Sequence, residues 1–483
     1  MGTDLKKNSL LKNSVFNVLY RITSLIFPLI YSAYVARIIF ADGVGRVEYA
    51  NNVISYFIMF AVFGLPAYGT REVAKRKSNQ TDLNKIFTEL FIVNFICTTF
   101  AIFIFIIFLL FNDRIYGNRY LFLCCSIPLF LNFINIDWFY AGEEEFAYIA
   151  YRSIVVKILM TFAIFIFVRS VEDYIVYALI SGIATAGNYI FNIIHIRKFV
   201  QFNFTDIKIK QHFKSASIFF FGEILSQLYS KVDILMLGIY CAASSIGYYV
   251  YGNKIVVIII FICTSFASVF LPRLSYYYEN DRKEFFNLVN MGIKVLIYLS
   301  IPLTVGMFLL SKAFVLLLYG EAFSPSAAVI RFLAPMIIIR ALGDLLCYQC
   351  VLSTGYEKIR IPATILASIT NILLNAMLIP KFAHNGAAFA SVMAEFVVNL
   401  IQFIYIKGRL KFSIRLKSIL QAIITSGLMG VVVYICLSLP LSLITSITMS
   451  VILGSFVYFV VNLAIKNEVS LLIVTKAKKG LLR

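Results

Sequence analysis

Residues 86–111 read IFTELFIVNFICTTFAIFIFIIFLLF, a nearly continuous apolar run. As an α-helix that rises about 1.5 Å per residue, this run is long enough to cross a hydrocarbon core of about 30 Å. Runs of similar length, about 18–25 residues each, recur from residue 14 to residue 464. The chain is therefore predicted to be an all-α polytopic membrane protein.

The apolar runs predict about fourteen transmembrane helices joined by short connections. We place these predicted spans at 14–39, 47–69, 86–111, 120–140, 153–168, 172–195, 215–240, 246–271, 288–310, 326–352, 361–379, 385–406, 418–438 and 441–464. The connections leave no room for a soluble domain, so a compact helical bundle is expected.

The composition excludes a soluble protein. Of the 483 residues, 61% are hydrophobic and 14% are charged, with a mean hydropathy of +0.88, whereas soluble domains are near half apolar and a quarter charged. The net charge of +19 does not indicate nucleic-acid binding, because the basic residues lie in short connections where they meet lipid headgroups. The eight cysteines and three histidines are scattered, and we predict no metal site.

The distribution of Lys and Arg predicts the orientation. With the amino terminus in the cytoplasm, cytoplasmic segments hold roughly five times as many basic residues as external ones. An even number of spans then places both termini on the cytoplasmic side. The expected location is the cytoplasmic (inner) membrane, crossed many times.

An internal repeat predicts the domain organisation. Residues 45–51, GRVEYAN, match residues 247–253, GYYVYGN, at three positions with one constant offset. Each copy leads into the second span of a predicted half, as expected for parallel repeats. The predicted parts are an amino-terminal lobe (1–195, six helices), a basic cytoplasmic linker (196–214), a carboxy-terminal lobe (215–407, six helices), and two further helices with a tail (408–483).

Ionisable residues inside the predicted spans indicate a function, since each costs at least about 2.5–3.5 kcal/mol to insert. Polar residues share one face in the first and seventh spans, so two pseudo-symmetric lobes are predicted to surround a central, water-filled cavity. We predict that its cationic residues bind an anionic substrate: Arg21, Lys231, Lys254, Lys294 and Arg340. The candidates for coupling to H⁺ or Na⁺ are the acids Glu223, Asp233, Asp344 and Glu395. No other cofactor is predicted.

Simpler roles are open for several of these charges. Arg340 and Asp344 lie one helical turn apart and can neutralise each other, as can Glu223 and Lys231. Near the ends of their spans, Arg37, Lys157 and Arg331 can extend to the headgroups (these three are not in the predicted binding set).

Residues 371–395, NILLNAMLIPKFAHNGAAFASVMAE, resemble the signature of Wzx-type polysaccharide repeat-unit flippases. In this stretch Gly386 is expected to permit a tight turn, and Gly386, Ala390 and Ala394 form a face of small residues. Further segments similar to that family are 66–72 (PAYGTRE), 137–153 (DWFYAGEEEFAYIAYRS), 231–238 (KVDILMLG), 246–249 (IGYY) and 271–275 (LPRLS).

The resemblance covers roughly residues 10–410 and implies a function. It implies membership of the superfamily that also holds MATE exporters and the lipid II flippase, with two lobes in alternating access. The implied cargo is an undecaprenyl-pyrophosphate-linked oligosaccharide for O-antigen, capsule or exopolysaccharide. Expected partners are this lipid-linked substrate and membrane lipids, with a polysaccharide polymerase and a chain-length regulator as further candidates.

Three alternatives stay open on the sequence. A MATE-like antiporter of drugs and ions shares the fold, but a cationic cavity is poorly suited to organic cations. A lipid II flippase has a similar anionic cargo. A membrane glycosyltransferase or polymerase is disfavoured because no large external loop, carboxylate pair or phosphate-binding glycine loop is present, so the chain is predicted not to be an enzyme.

Overall fold

A computed structural model describes the backbone of residues 2–112, 118–410 and 416–481, and the side chains of residues 23, 24, 26–112, 118–410 and 416–475. Most of each predicted span is helical, although 120–140 and 326–352 are broken into short helices, and no strand occurs in the described ranges. The all-α polytopic membrane class is confirmed. By internal contacts the chain divides into unit 1, residues 1–238 and 242–247, and unit 2, residues 239–241 and 248–483.

Nine helices account for most of unit 1. They are α1 (Gly2–Val62), α2 (Leu65–Arg76), α3 (Gln80–Phe111), α4 (Arg119–Cys125), α5 (Ile127–Phe130), α6 (Asp137–Gly142), α7 (Phe146–Phe167), α8 (Tyr174–His195) and α9 (Ile209–Tyr240). Helix α1 packs against α3, α7 and α8. The predicted lobes are defined by the sequence repeat, whereas units 1 and 2 are defined by internal contacts. The predicted division at residues 196–214 therefore stays a prediction.

The remaining helices account for unit 2, apart from the first residues of α10. They are α10 (Ala243–Ser268), α11 (Leu271–Asn280), α12 (Arg282–Tyr319), α13 (Ser326–Leu333), α14 (Pro335–Gly343), α15 (Cys350–Ser353), α16 (Arg360–Lys407), α17 (Leu416–Ser438), α18 (Leu443–Ala464) and α19 (Glu468–Leu481). Helix α12 packs against α13, α14 and α17, and α17 packs against α18.

Fewer helices than predicted qualify individually as membrane spans. In the described ranges, nine are long and apolar enough, and two of these, Ile26–Arg76 and Glu357–Lys407, each overlap two predicted spans. The predicted spans outside the nine are 120–140, 215–240 and 326–352. The first and third are broken into short helices, and the second carries charged residues within α9.

Sharp turns inside α1 and α16 each occur at a residue other than glycine. Phe40 (φ 52°) interrupts α1 and Ala383 (φ 47°) interrupts α16, so two spans meet at a single non-helical residue in each case. The expectation that Gly386 forms the turn is therefore wrong. Gly386 is helical, and a Cβ atom there would lie 2.6 Å from the carbonyl oxygen of Leu378. The absence of a side chain at Gly386 therefore permits close packing after the turn and is not what forms the turn.

The broken span between residues 119 and 142 keeps its backbone polar groups satisfied. The side-chain amide of Asn94 on α3 donates to the carbonyl oxygens of Asn132 (2.9 Å), Phe133 (3.3 Å) and Asn135 (3.3 Å). Asn132 in turn donates to the hydroxyl of Thr98 at 2.9 Å. A non-helical backbone at membrane depth needs such partners because the surrounding lipid offers none.

The two copies of the sequence repeat make reciprocal contacts within unit 1. A Cβ atom on Gly45 would lie 1.7 Å from the carbonyl oxygen of Ala243, and one on Gly247 would lie 2.2 Å from that of Ala41. The offset from Gly45 to Gly247 equals the offset from Ala41 to Ala243. The two contacts are thus related by the repeat, which indicates a local pseudo-twofold arrangement where α1 meets the start of α10.

Candidate functional site

Two charges that the sequence assigned to different roles form an ion pair in unit 2. Arg340 on α14 donates through Nε to Oε2 of Glu395 on α16 at 2.9 Å. The side chain of Glu395 is 10% exposed and that of Arg340 is 36% exposed. The predicted pair between Arg340 and Asp344 is replaced by this one. While it is closed, Arg340 contributes no net positive charge to a binding site.

The Arg340–Glu395 pair is held in place by Asn399, one turn further along α16. The amide of Asn399 donates to Oε1 of Glu395 at 2.9 Å, so both carboxylate oxygens have a donor. Gly343 on α14 gives this amide its space, because a Cβ atom on Gly343 would lie 1.9 Å from Oδ1 of Asn399. The close approach of α14 to α16 therefore depends on a glycine three residues after Arg340.

Asp344 opens a π-helical segment, Asp344–Gln349, between α14 and α15. Its carboxylate accepts a hydrogen bond from Nε2 of Gln349 at 2.8 Å, and Gln349 is buried. The wider turn of a π-helix allows these two side chains to meet five residues apart. Single π-helical turns often occur at functional sites, and the sequence analysis did not predict this one.

The other cations of unit 2 lie apart from this network. Lys254 on α10 has its ammonium group 4.5 Å from the centre of the Tyr251 ring, a cation–π contact. Lys294 on α12 forms an ion pair with Glu468 at the start of α19. The structure therefore gives Lys254, Lys294 and Arg340 three different surroundings.

In unit 1 the candidates lie on α9. Glu223 is exposed and accepts a hydrogen bond from Gln227 at 3.3 Å, whereas Asp233 is buried. The backbone carbonyl of Lys231 accepts a hydrogen bond from Asn52 of α1 at 3.1 Å. The side chain of Lys231 is half-buried. Among the ion pairs of the described residues, none joins Lys231 to Glu223, although the charge of Glu223 lies close enough to act on Lys231.

The remaining predicted charges have various positions. The side chain of Arg21 lies outside the described residues. Lys157 on α7 donates to the hydroxyl of Ser24 on α1 at 2.7 Å. Arg331 donates to the hydroxyl of Ser311 at 3.0 Å, and Arg37 is exposed. In the described ranges, no group of three or more His, Cys, Asp or Glu side chains is placed to hold a metal ion.

A buried hydrogen-bonded chain in unit 1 escaped the sequence analysis. His212, at the start of α9, contacts Oε2 of Glu89 through Nε2 at 2.7 Å and the hydroxyl of Tyr68 through Nδ1 at 2.8 Å. All three side chains are buried. Glu89 also accepts from the backbone amide of Lys208 at 2.8 Å. The sequence held a signal, since Glu89 lies in the apolar run 86–111 and needs a partner there.

A second network, in which Arg152 and Asn192 are buried and the side chain of Asp137 is 47% exposed, joins α6, α7 and α8. Arg152 donates to Oδ1 of Asp137 at 3.0 Å and to the side chain of Asn192. The guanidinium carbon of Arg152 also lies 5.7 Å from the centre of the Tyr148 ring. Arg152 is buried within α7, so its role is to fasten three helices together.

Removing the carboxylate of Glu395 is expected to destabilise unit 2. Glu395→Leu removes the carboxylate that accepts from the guanidinium of Arg340 and from the amide of Asn399, while the amide keeps the backbone carbonyl oxygen of residue 395 as an acceptor. Hydrogen bonds to charged groups contribute about 1.5–3 kcal/mol each. We expect a lower midpoint of thermal unfolding in detergent. The double variant Arg340→Leu/Glu395→Leu should recover part of the loss, since no charge is then left unpaired. Equal losses in the single and double variants would show that the pair contributes little.

Comparison with known proteins identifies the relationship of this chain. Residues 10–278 match the family described as Polysaccharide biosynthesis protein. A putative O-antigen transporter of Escherichia coli K12 is 20% identical over 409 residues, covering 83% of this chain and 98% of the relative. A putative O-antigen transporter of Shigella dysenteriae is 23% identical over 412 residues, covering 83% of this chain and 100% of the relative.

The fold is similar to that of a solved membrane transporter. The lipid II flippase MurJ in an inward closed conformation superposes with a TM-score of 0.77 at 17% identity, covering 94% of this chain and 99% of MurJ. Inward-facing MATE multidrug transporters of the MOP superfamily are more distant, with a TM-score of 0.59 for one of them. The predicted resemblance to Wzx-type flippases is confirmed by the family match and these relatives, and the solved structures show the same fold. With more than half of its length matched by the family model, the chain belongs to the polysaccharide biosynthesis protein family.

Proposed function

We propose that this protein is a flippase for undecaprenyl-pyrophosphate-linked oligosaccharide repeat units. It carries them from the inner to the outer leaflet of the cytoplasmic membrane by alternating access, for the synthesis of a surface polysaccharide. The names of its relatives, which are transporters and flippases, support transport rather than catalysis. The predicted cationic residues, such as Lys231 and Lys254, have the charge opposite to that of the pyrophosphate.

The observation that carries the proposal is the position of Lys231. Its half-buried side chain lies on α9, within the predicted span 215–240, and takes part in none of the ion pairs of the described residues. A charged group at that depth requires water or a mobile counter-ion. A diphosphate that loses part of its hydration on entering the protein supplies such a counter-ion, and the ammonium group replaces the lost water.

Sugar recognition is assigned to neutral polar groups. On α9, Ser226, Gln227 and Ser230 follow the same side of the helix as Glu223 and Lys231. Amide and hydroxyl groups of this kind exchange hydrogen bonds with sugar hydroxyls without requiring one particular sugar. In this proposal a cation therefore binds the diphosphate, and uncharged side chains bind the oligosaccharide.

Coupling to an ion gradient is part of the proposal. Asp233, two residues after Lys231, is a buried carboxylate on the same helix, and a buried carboxylate can release and rebind H⁺ or coordinate Na⁺. The other candidate acids are Glu223, Asp344 and Glu395, of which Glu395 is already neutralised by Arg340. Asp233 is therefore our first choice for the coupling residue.

Replacing Lys231 by glutamine is expected to slow translocation at least tenfold while the protein stays folded. The reason is that glutamine keeps the length and polarity of the side chain but removes the charge that balances the diphosphate. The measurement uses purified protein in liposomes with a fluorescent polyprenyl-pyrophosphate oligosaccharide in one leaflet, and follows the accessibility of the dye. An imposed H⁺ or Na⁺ gradient in the same vesicles tests coupling.

Lys358→Gln is the matched control for Lys231→Gln, since Lys358 is exposed in the connection before α16. It should translocate at the wild-type rate. Equal rates in wild type and Lys231→Gln would remove Lys231 from the binding site. If no lipid-linked sugar moves but a soluble cation does, the MATE-like alternative replaces the proposal, and movement of lipid II alone would favour the lipid II alternative.

A further inference from the structure

A cationic pocket lies in unit 2 where α12, α17 and the turn from α18 into α19 meet. Two adjoining cavities, of about 290 and 360 Å³, have Lys294 and Glu468 in their common wall. Lys417 and Lys466 line the larger cavity. We call this site the lysine pocket and define it by Lys294, Lys417, Lys466 and Glu468.

The charges of the lysine pocket are unbalanced. Three ammonium groups face one carboxylate, so the pocket carries an excess of two positive charges at neutral pH. The carboxylate of Glu468 pairs with Lys294. Among the ion pairs of the described residues, none includes Lys417 or Lys466. The pocket therefore attracts an anion, which is the ligand its chemistry selects.

The position of the lysine pocket indicates where the anion comes from. Two candidate membrane spans, Leu416–Ser438 and Leu443–Ala464, begin and end beside it, so the pocket lies at the level where the hydrocarbon core meets water. Lipid phosphates lie at that level. In the predicted orientation, this is the cytoplasmic leaflet. The same cavities have apolar walls, including Ile297, Val469 and the partly exposed Leu472.

We propose that the lysine pocket binds the phosphodiester headgroup of an anionic phospholipid. Lys417 and Lys466 bind the phosphate, and the apolar wall formed by Ile297 and Leu472 contacts the first carbons of the acyl chains. Asn290 adds a buried side-chain oxygen that accepts no hydrogen bond in the described structure, which suits a headgroup hydroxyl as its donor. A glycerol headgroup carries such hydroxyls, and a choline headgroup does not.

The carboxylate of Glu468 competes with the lipid phosphate for Lys294. Its side chain is 59% exposed while that of Lys294 is 20% exposed, so the carboxylate can turn to water when a phosphate approaches Lys294. Lipid binding therefore exchanges one anion for another at Lys294. This site is distinct from the proposed transport site on α9, and its test does not require transport.

The test measures the midpoint of thermal unfolding of the purified full-length protein in detergent. Short-chain phosphatidylglycerol should raise the midpoint, because a ligand that binds only the folded state stabilises it, while phosphatidylcholine of equal chain length should not. Lys417→Gln/Lys466→Gln should lose most of this increase. Lys381→Gln, at an exposed lysine of α16, should keep it. Glu468→Gln should reach the same increase at a lower lipid concentration, because the competitor is gone.

Several outcomes would overturn the proposal. Equal stabilisation by phosphatidylcholine would show that the headgroup is not recognised. The same increase with inorganic phosphate would identify a free anion as the ligand. Stabilisation by undecaprenyl pyrophosphate, with none by phosphatidylglycerol, would make the pocket a cargo site. If Lys417→Gln/Lys466→Gln does not fold, Glu468→Gln decides alone, and an unchanged lipid response in that variant contradicts the proposal.

Discussion

Replacing His212 by leucine is expected to cost about 3 kcal/mol or more of folding free energy, because two buried polar groups each lose a hydrogen-bond partner, at about 1–3 kcal/mol for each group. Glu89 is buried and loses the donor that lies 2.7 Å from its carboxylate. The hydroxyl of Tyr68 loses its partner as well. Since His212 lies at the start of α9, the loss should loosen the attachment of that helix to α2 and α3. Lower yields of folded protein and a lower unfolding midpoint are the expected readouts.

The chain offers a matched control for His212→Leu. His384 is half-buried on α16, and its Nδ1 forms no hydrogen bond in the described structure. His384→Leu should therefore change the unfolding midpoint much less. Glu89→Gln, with an amide of the same shape, should lie between the two. A loss in His384→Leu as large as that in His212→Leu would mean that histidine burial, rather than the chain from Glu89 to Tyr68, sets the stability.

Adding a single methyl group at Gly45 or Gly247 is expected to abolish most of the transport activity and to lower stability. A Cβ atom at Gly45 would lie 1.7 Å from the carbonyl oxygen of Ala243, a distance that requires the backbones to separate. Overpacked cores typically cost about 1–3 kcal/mol, and the cost rises when the obstructing atom belongs to the backbone. We expect Gly45→Ala and Gly247→Ala to lower both the unfolding midpoint and the translocation rate.

Gly187→Ala and Gly222→Ala are the controls for these glycines. Both glycines lie in helices, α8 and α9, and no atom lies within 4 Å of the Cβ position. Alanine in a helix is more favourable than glycine by about 1 kcal/mol, so these variants should be as stable as wild type or more so. Wild-type behaviour of Gly45→Ala would contradict the close approach of α1 and α10. Because the contacts are reciprocal, Gly45→Ala and Gly247→Ala should have similar effects.

Intramembrane acids were identified unevenly from the sequence. Glu395 and Asp233 were identified because each interrupts an apolar run, but Glu89 does so as well and was overlooked. Its partner, His212, is separated from it by 123 residues. No periodicity links two such positions, since a helical pattern relates only residues three or four apart. The pairing of Glu395 with Arg340, 55 residues away, was missed for the same reason.

The sequence by itself determined the membrane class, the positions of the helices and the internal repeat. The length of a hydrophobic run is a local property, and the offset of a repeat compares the sequence only with itself. Neither requires knowledge of how the helices pack. Only the tertiary structure decided which charges meet. Arg340 pairs with Glu395 rather than Asp344, Lys294 belongs to a pocket with Lys417 and Lys466, and α1 turns at Phe40 rather than at a glycine. These outcomes depend on how helices distant in the chain pack, and apolar run length carries no information about that.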